Sequence, residues 1–151
     1  MEGVLPAYDW LHMHHEDFTG QFGKFWARYR NYPWYQNDVK KQQETAERYG
    51  YDKVSQLKLA VVKKIRDFVA GGGYLFSMCS APDSFDVALA ADGLDICDVM
   101  FDGDGITPGD PQRLNYDNCF AFTDFTVSVS PQEYEISDID VTQRRSKSVK
   151  E

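Results

Sequence analysis

Apolar positions return every third or fourth residue between 54 and 69. Val54, Leu57, Val61, Ile65 and Phe68 make one stripe, with Lys58, Lys63, Lys64, Arg66 and Asp67 mostly opposite. That spacing predicts a helix, closed by Gly71-Gly72-Gly73. Tyr74 to Met78 is nearly all apolar and predicts a strand buried on both faces. After Cys79, Ser80 and Asp83 are spaced as a capping box, and Pro82 suits a first helical turn. The helix they open runs to about Ala91 and stops near Gly93.

Upstream, "VLPAYDWLHMHH" (4–15) reads as a strand entered through a Pro-Ala-Tyr-Asp turn, with Trp10, His12 and His14 on one side and Leu11, Met13 and His15 on the other. Its expected end is polar: His14, His15, Glu16, Asp17. Between 21 and 51 the chain is aromatic. Phe22, Phe25, Trp26 and Tyr29 fall at helical spacing, Asn31-Tyr32-Pro33 breaks the run, and a polar helix is expected over about 36–48. Downstream, "CFAFTDFTVSVS" alternates from Phe120 to Val129 and reads as a strand, and "FDGDG" (101–105) as a turn rather than a calcium loop.

A strand, a long excursion, a helix, a strand and a helix make a βαβα unit. The expectation is an α/β fold with a parallel sheet of the flavodoxin-like kind, flanked by helices and incomplete. One domain is expected over 1–130, with 21–51 as an aromatic insert and 131–151 as a polar tail or truncated continuation. An insert that long at the C-terminal edge of a sheet suits a lid or a binding wall.

Composition narrows the function. The 151 residues suffice for one core. A net charge of −8 argues against nucleic acid, which wants a basic face. No apolar run is long enough for a membrane span, and the first residues lack the pattern of a signal peptide. The chain alone reads as cytoplasmic; a longer parent with a signal peptide would make it periplasmic. Cys79, Cys97 and Cys119 are too few and too scattered for a disulfide framework or a zinc knuckle.

Parallel sheets present ligands at the C-terminal ends of their strands. One predicted strand ends at His14, His15 and Glu16, the other at Cys79. Cys79 at a strand-to-helix turn fits a nucleophile elbow, with small Ser77 and Ala81 two residues either side. The N–H of Ser80 and the loop at Gly20 would hold an oxyanion. Against this, Asp83 and Asp86 put negative charge in the same helix, and a buried structural cysteine remains the other reading. The histidines are a candidate base, a plain polar strand end, or metal ligands, although their spacing matches no established zinc motif. Trp26, Tyr29, Trp34 and Asp83 are candidate binding residues, and the aromatics equally suit packing of the insert. No cofactor is implied. The expected partner is a small molecule: an amide, an ester or a carbohydrate.

"LAVVKKIRDFVAGGGYLFSMCSA" resembles the helix, glycine turn, strand and elbow of class I glutamine amidotransferase-like domains, including the trehalose-utilisation-type branch. There the elbow reads G-x-C-x-G; Ser77 and Ala81 occupy its glycine positions here. The family's histidine and glutamate lie downstream of the cysteine, and this chain has no histidine after His15. Over nearly its whole length, through "YDWLHMHHEDFTGQFGKF", "KVSQLKLAVVKKIRDFVAGGGYLFSMCSAPDSFDVALAA" and "MFDGD", the chain is similar to the middle of longer bacterial proteins, mostly of Bacteroidetes type. These often carry the label asparagine synthetase B. The enzyme of that name uses an N-terminal cysteine, whereas residue 2 here is Glu2. The resemblance implies a hydrolase-like or amidotransferase-like site, and further sequence at both ends of the chain.

Overall fold

The computed structural model describes residues 5–139. Its architecture is α/β. Strand β1 (Trp10–Met13) pairs in parallel with β2 (Tyr74–Ser77), with Trp10 opposite Tyr74 and Met13 opposite Ser77. Between them come α1 (Trp26–Tyr29), α2 (Pro33–Arg48) and α3 (Val54–Ala70); α4 (Ala81–Ala90) and α5 (Val99–Asp102) follow β2. No helix among the described residues is long and apolar enough to cross a membrane.

Helix α3 forms where its stripe predicted. Its end is a Schellman turn: Gly73 N–H donates to Phe68 O at 3.0 Å, and Gly72 takes φ +100°. Gly73 lies under the Phe68 ring: a Cβ there would lie 2.3 Å from Cζ, so the ring would have to move. This turn delivers the chain directly into β2.

One face of the sheet is packed. Met13, Phe18, Val62, Ile65, Phe85 and Leu89 make a core against it, with Leu11 and Leu75 from the strands. The other face is open. Trp10 is 64% exposed, Tyr74 72% and Phe76 46%. The expectation of a strand buried on both faces is therefore corrected: α3 and α4 both contribute to one core, and no described element covers the second face. The strand expected within 4–15 is entered through a turn, a 3-10 turn at Leu5–Ala7, and it ends at Met13, short of the histidines His14 and His15.

In the insert the helical run stops at Tyr29 and breaks before Pro33, as expected, and Pro33 itself opens α2, ahead of the expected start near 36, since its missing N–H is no loss in the first turn. The aromatic run before it is not one helix. Phe22, Gly23 and Lys24 take φ of +52°, +68° and +59°, a left-handed turn that ends before α1. Phe22, Tyr35, Ala46, Val54, Leu57 and Phe101 then bury together as a second core, so the insert is packed onto the domain.

The strand expected over Phe120–Val129 does not form. A lone antiparallel bridge joins Val127 to Ser137. The cause lies in α4. The carboxylate of Asp86, 1% exposed, accepts the backbone N–H groups of Phe120, Ala121 and Phe122 at 2.8–2.9 Å. That folds the three residues around a point, and Asp124 at φ +57° bends the chain again. Ile136 and Ile139, in the stretch expected as a polar tail or truncated continuation, pack with Phe125 on a third core. The expected tail beyond residue 139 lies outside the described residues.

Candidate functional site at the ends of the two strands

The two strands end level with each other. Met78 N–H continues the ladder to Met13 O at 3.1 Å, after which one chain enters His14 and the other Cys79. Cys79 then takes φ +60° and Ser80 φ −83°, ψ −9°, and Ala81 N–H closes onto Met78 O at 3.3 Å. The φ values and the closing bond fit a type II′ turn, whose first central position normally takes glycine. A cysteine there is strained. Its thiol is exposed, not buried.

Ser80 stands at the N-cap of α4, but its side chain makes no cap bond, so the expected capping box with Asp83 is not formed. The reason is the turn: Ser80 already has helical φ and ψ, whereas a capping side chain needs an extended backbone. Pro82 sits in the first helical turn as expected. Asp83 lies in the same turn, half-buried. Asp86, counted from sequence as negative charge near Cys79, directs its carboxylate into the 120–122 loop.

The histidine segment is pinned to the helix that follows Cys79. Ser84 Oγ donates to Glu16 O at 2.7 Å, and the Glu16 carboxylate accepts His14 N–H at 2.6 Å. His14 and His15 are exposed, with ring centroids 3.8 Å apart, edge to face. The structure thus brings the elbow and the histidines to one edge of the sheet. Gly20 is buried, at φ +86°, where a Cβ would lie 2.8 Å from the backbone of Ser55. It belongs to the contact with α3. Asp17 shapes the loop between: its carboxylate accepts Thr19 N–H at 2.8 Å and Gly23 N–H at 2.9 Å.

Trp26, Tyr29 and Trp34 sit together in the insert, with Tyr29 and Trp34 centroids 5.2 Å apart. Trp34 also meets Tyr35 edge to face, and Trp26 and Tyr29 pack against the second core.

A cavity of about 340 Å³ does not have Cys79 in its lining. It opens beside Thr19, Ser55, Leu59, Ala88, Leu94 and Cys97. Cys97 is an unsuitable nucleophile. Its thiol is buried against Thr19 O at 3.4 Å, and burial, aided by Asp102, pushes its pKa well up. Cys119 is likewise raised by burial, to about 11. Of the three thiols Cys79 is the exposed one, and it does not line that cavity.

Two polar arrangements have no counterpart in the sequence reading. Lys24, 2% exposed, donates to Ser128 O at 3.1 Å and Ser130 O at 2.6 Å. Lys53, at the start of α3, meets Asp102 at 3.1 Å and Asp104 at 2.5 Å, with Asp95 at 3.9 Å. Burial alone would lower the Lys53 pKa, but hydrogen bonds to Asp104 and Asp102 raise it. These three carboxylates are the group of the described residues spaced for a metal ion, and the Lys53 ammonium already stands among them. An acid inside the apolar run Phe85–Ala91 was the available signal for Asp86. Lys24 offered none, because its acceptors lie more than a hundred positions away.

Scans against protein-family models, curated proteins and solved structures gave no match to this chain.

Proposed function

We propose that the chain is a flavodoxin-like α/β domain of the class I glutamine amidotransferase-like kind, with a thiol-dependent acyl-transfer or hydrolytic site at Cys79. The observation that carries this reading is a non-glycine residue at φ +60°, exposed, between a parallel strand and a helix. Strain of this sort persists where the surrounding structure enforces it, and it concentrates at working sites.

The chemistry follows from the neighbours. The Cys79 sulfur attacks the carbonyl carbon of an amide or ester, and its proton passes to His14 or His15. The carbonyl oxygen becomes an oxyanion, held by Ser80 N–H. Collapse forms a thioester and expels the amine or alcohol, which takes the proton back from the imidazole. Water then cleaves the thioester and restores the thiol. Glu16 positions the histidine segment through its bond to His14 N–H. In this reading the upstream histidines stand where the resembling family uses a downstream one.

The test is turnover of glutamine and of p-nitrophenyl acetate by the chain and by Cys79→Ala. Loss of turnover in the variant, with circular dichroism unchanged, supports the site. Equal turnover in both proteins rejects it. A second reading, a non-catalytic domain that binds a small molecule such as a carbohydrate, is supported by the hollow that Trp26 lines.

A further inference from the structure

A second hollow, about 260 Å³, lies over the insert, where α1 and α2 face Met100 of α5. Trp26, Tyr35 and Met100 are among its apolar walls, and its polar lining is Arg30, Lys40, Gln36 and Gln43. No carboxylate lines it among the described residues, in a chain of net charge −8. A site holding two cations and two amides selects for negative charge.

The groups are arranged for use. The Arg30 guanidinium lies 4.6 Å from the Trp26 ring centroid, and its Nη1 donates to Ala27 O at 2.6 Å. That fixes the fork and leaves its other N–H groups open. Lys40 has one exposed ion pair, with Glu44 at 3.7 Å, of a kind that contributes little. Tyr35 is 5% exposed. Burial, with Asp38 and Asp17 nearby, raises its pKa to about 12, so it stays a neutral donor.

We propose that this cavity binds a small anion built on one ring, a monocyclic carboxylate. The ring lies against Trp26, the carboxylate meets Arg30 and Lys40, and Gln36, Gln43 and the Tyr35 hydroxyl serve ring substituents. The volume holds a single ring and its substituents, and is smaller than a drug-sized pocket. This site deepens the binding reading and does not depend on Cys79.

The test follows the Trp26 indole N–H resonance, assigned with Trp26→Phe, as glucuronate or benzoate is added. Glucose and benzyl alcohol are the uncharged controls. Saturable binding of either acid below about 10 mM, at least about tenfold tighter than its control and weakened about tenfold in Arg30→Gln/Lys40→Gln, supports the site. The preferred acid tells a sugar ring from an aromatic one. Absence of saturation with both acids overturns it. So does equal binding of the controls, or unchanged affinity in a double variant whose circular dichroism matches the parent. Unaltered binding in Cys79→Ala is also expected, which separates this result from the fate of the thiol site.

Discussion

Met13 and Met78 are joined by a 3.1 Å hydrogen bond at the point where both strands stop. Everything distinctive at this end of the molecule starts from that level. One chain turns into three polar residues tied back by Glu16, and the other into a strained cysteine. The bond fixes the two departures side by side, so the elbow and the histidines form one edge.

Strain at Cys79 should be measurable as stability. A non-glycine residue at positive φ costs about 1–2 kcal/mol, partly offset by glycine's larger chain entropy when unfolded. Cys79→Gly is expected to be more stable than Cys79→Ala by about 1 kcal/mol in urea. Equal midpoints for the two variants would mean that the turn is relaxed.

Asp86 is expected to be the most sensitive polar residue of α4. Its removal leaves three loop N–H groups without an acceptor, at about 1–3 kcal/mol each where they stay buried. Asp86→Ala should lose about 4 kcal/mol, a large share of a small domain's stability. Asp86→Asn keeps an acceptor and should lose less. Hydrogen exchange at residues 120–122 provides the local readout, and unchanged protection in Asp86→Asn and Asp86→Ala alike would refute the role.

Lys24 gives the chain a pH signature. Burial pushes its pKa down to about 8, against the opposing pull of Glu133 and Asp17. An unfolded lysine titrates near pH 10.4. Below pH 8 both states hold the proton, and the buried charge subtracts from stability in full. Above that, the folded state releases its proton first, so the penalty shrinks up to about pH 10.4. Tyr35 and Cys119, raised by burial to about 12 and about 11, act in the opposite sense at the upper end, because their unfolded forms ionise first. Urea midpoints from pH 7 to pH 9 should therefore rise in the parent relative to Lys24→Met. Parallel profiles would contradict the assignment.

The sequence revealed what local spacing controls. Helix α3, strand β2 and the start of α4 stand within a residue or two of their expected places, because stripe, glycine stop and proline start are all local signals. The failures share a cause at longer range. Phe120–Val129 alternates like a strand, yet Asp86, 34 positions before Phe120, takes its first N–H groups. Tyr74 and Phe76 look like the interior of a sheet, but burial needs a second layer that an apolar run cannot announce. Cys79 was legible as a turn residue; its positive φ was not.

The most direct test of the account is the alkylation rate of Cys79 by iodoacetamide at neutral pH, followed by peptide mass spectrometry, with Cys97 as the buried internal control. The account expects Cys79 to react faster than a free model thiol, and to slow in His14→Ala/His15→Ala. Reaction no faster than the model thiol, or a rate indifferent to both histidines, would contradict it.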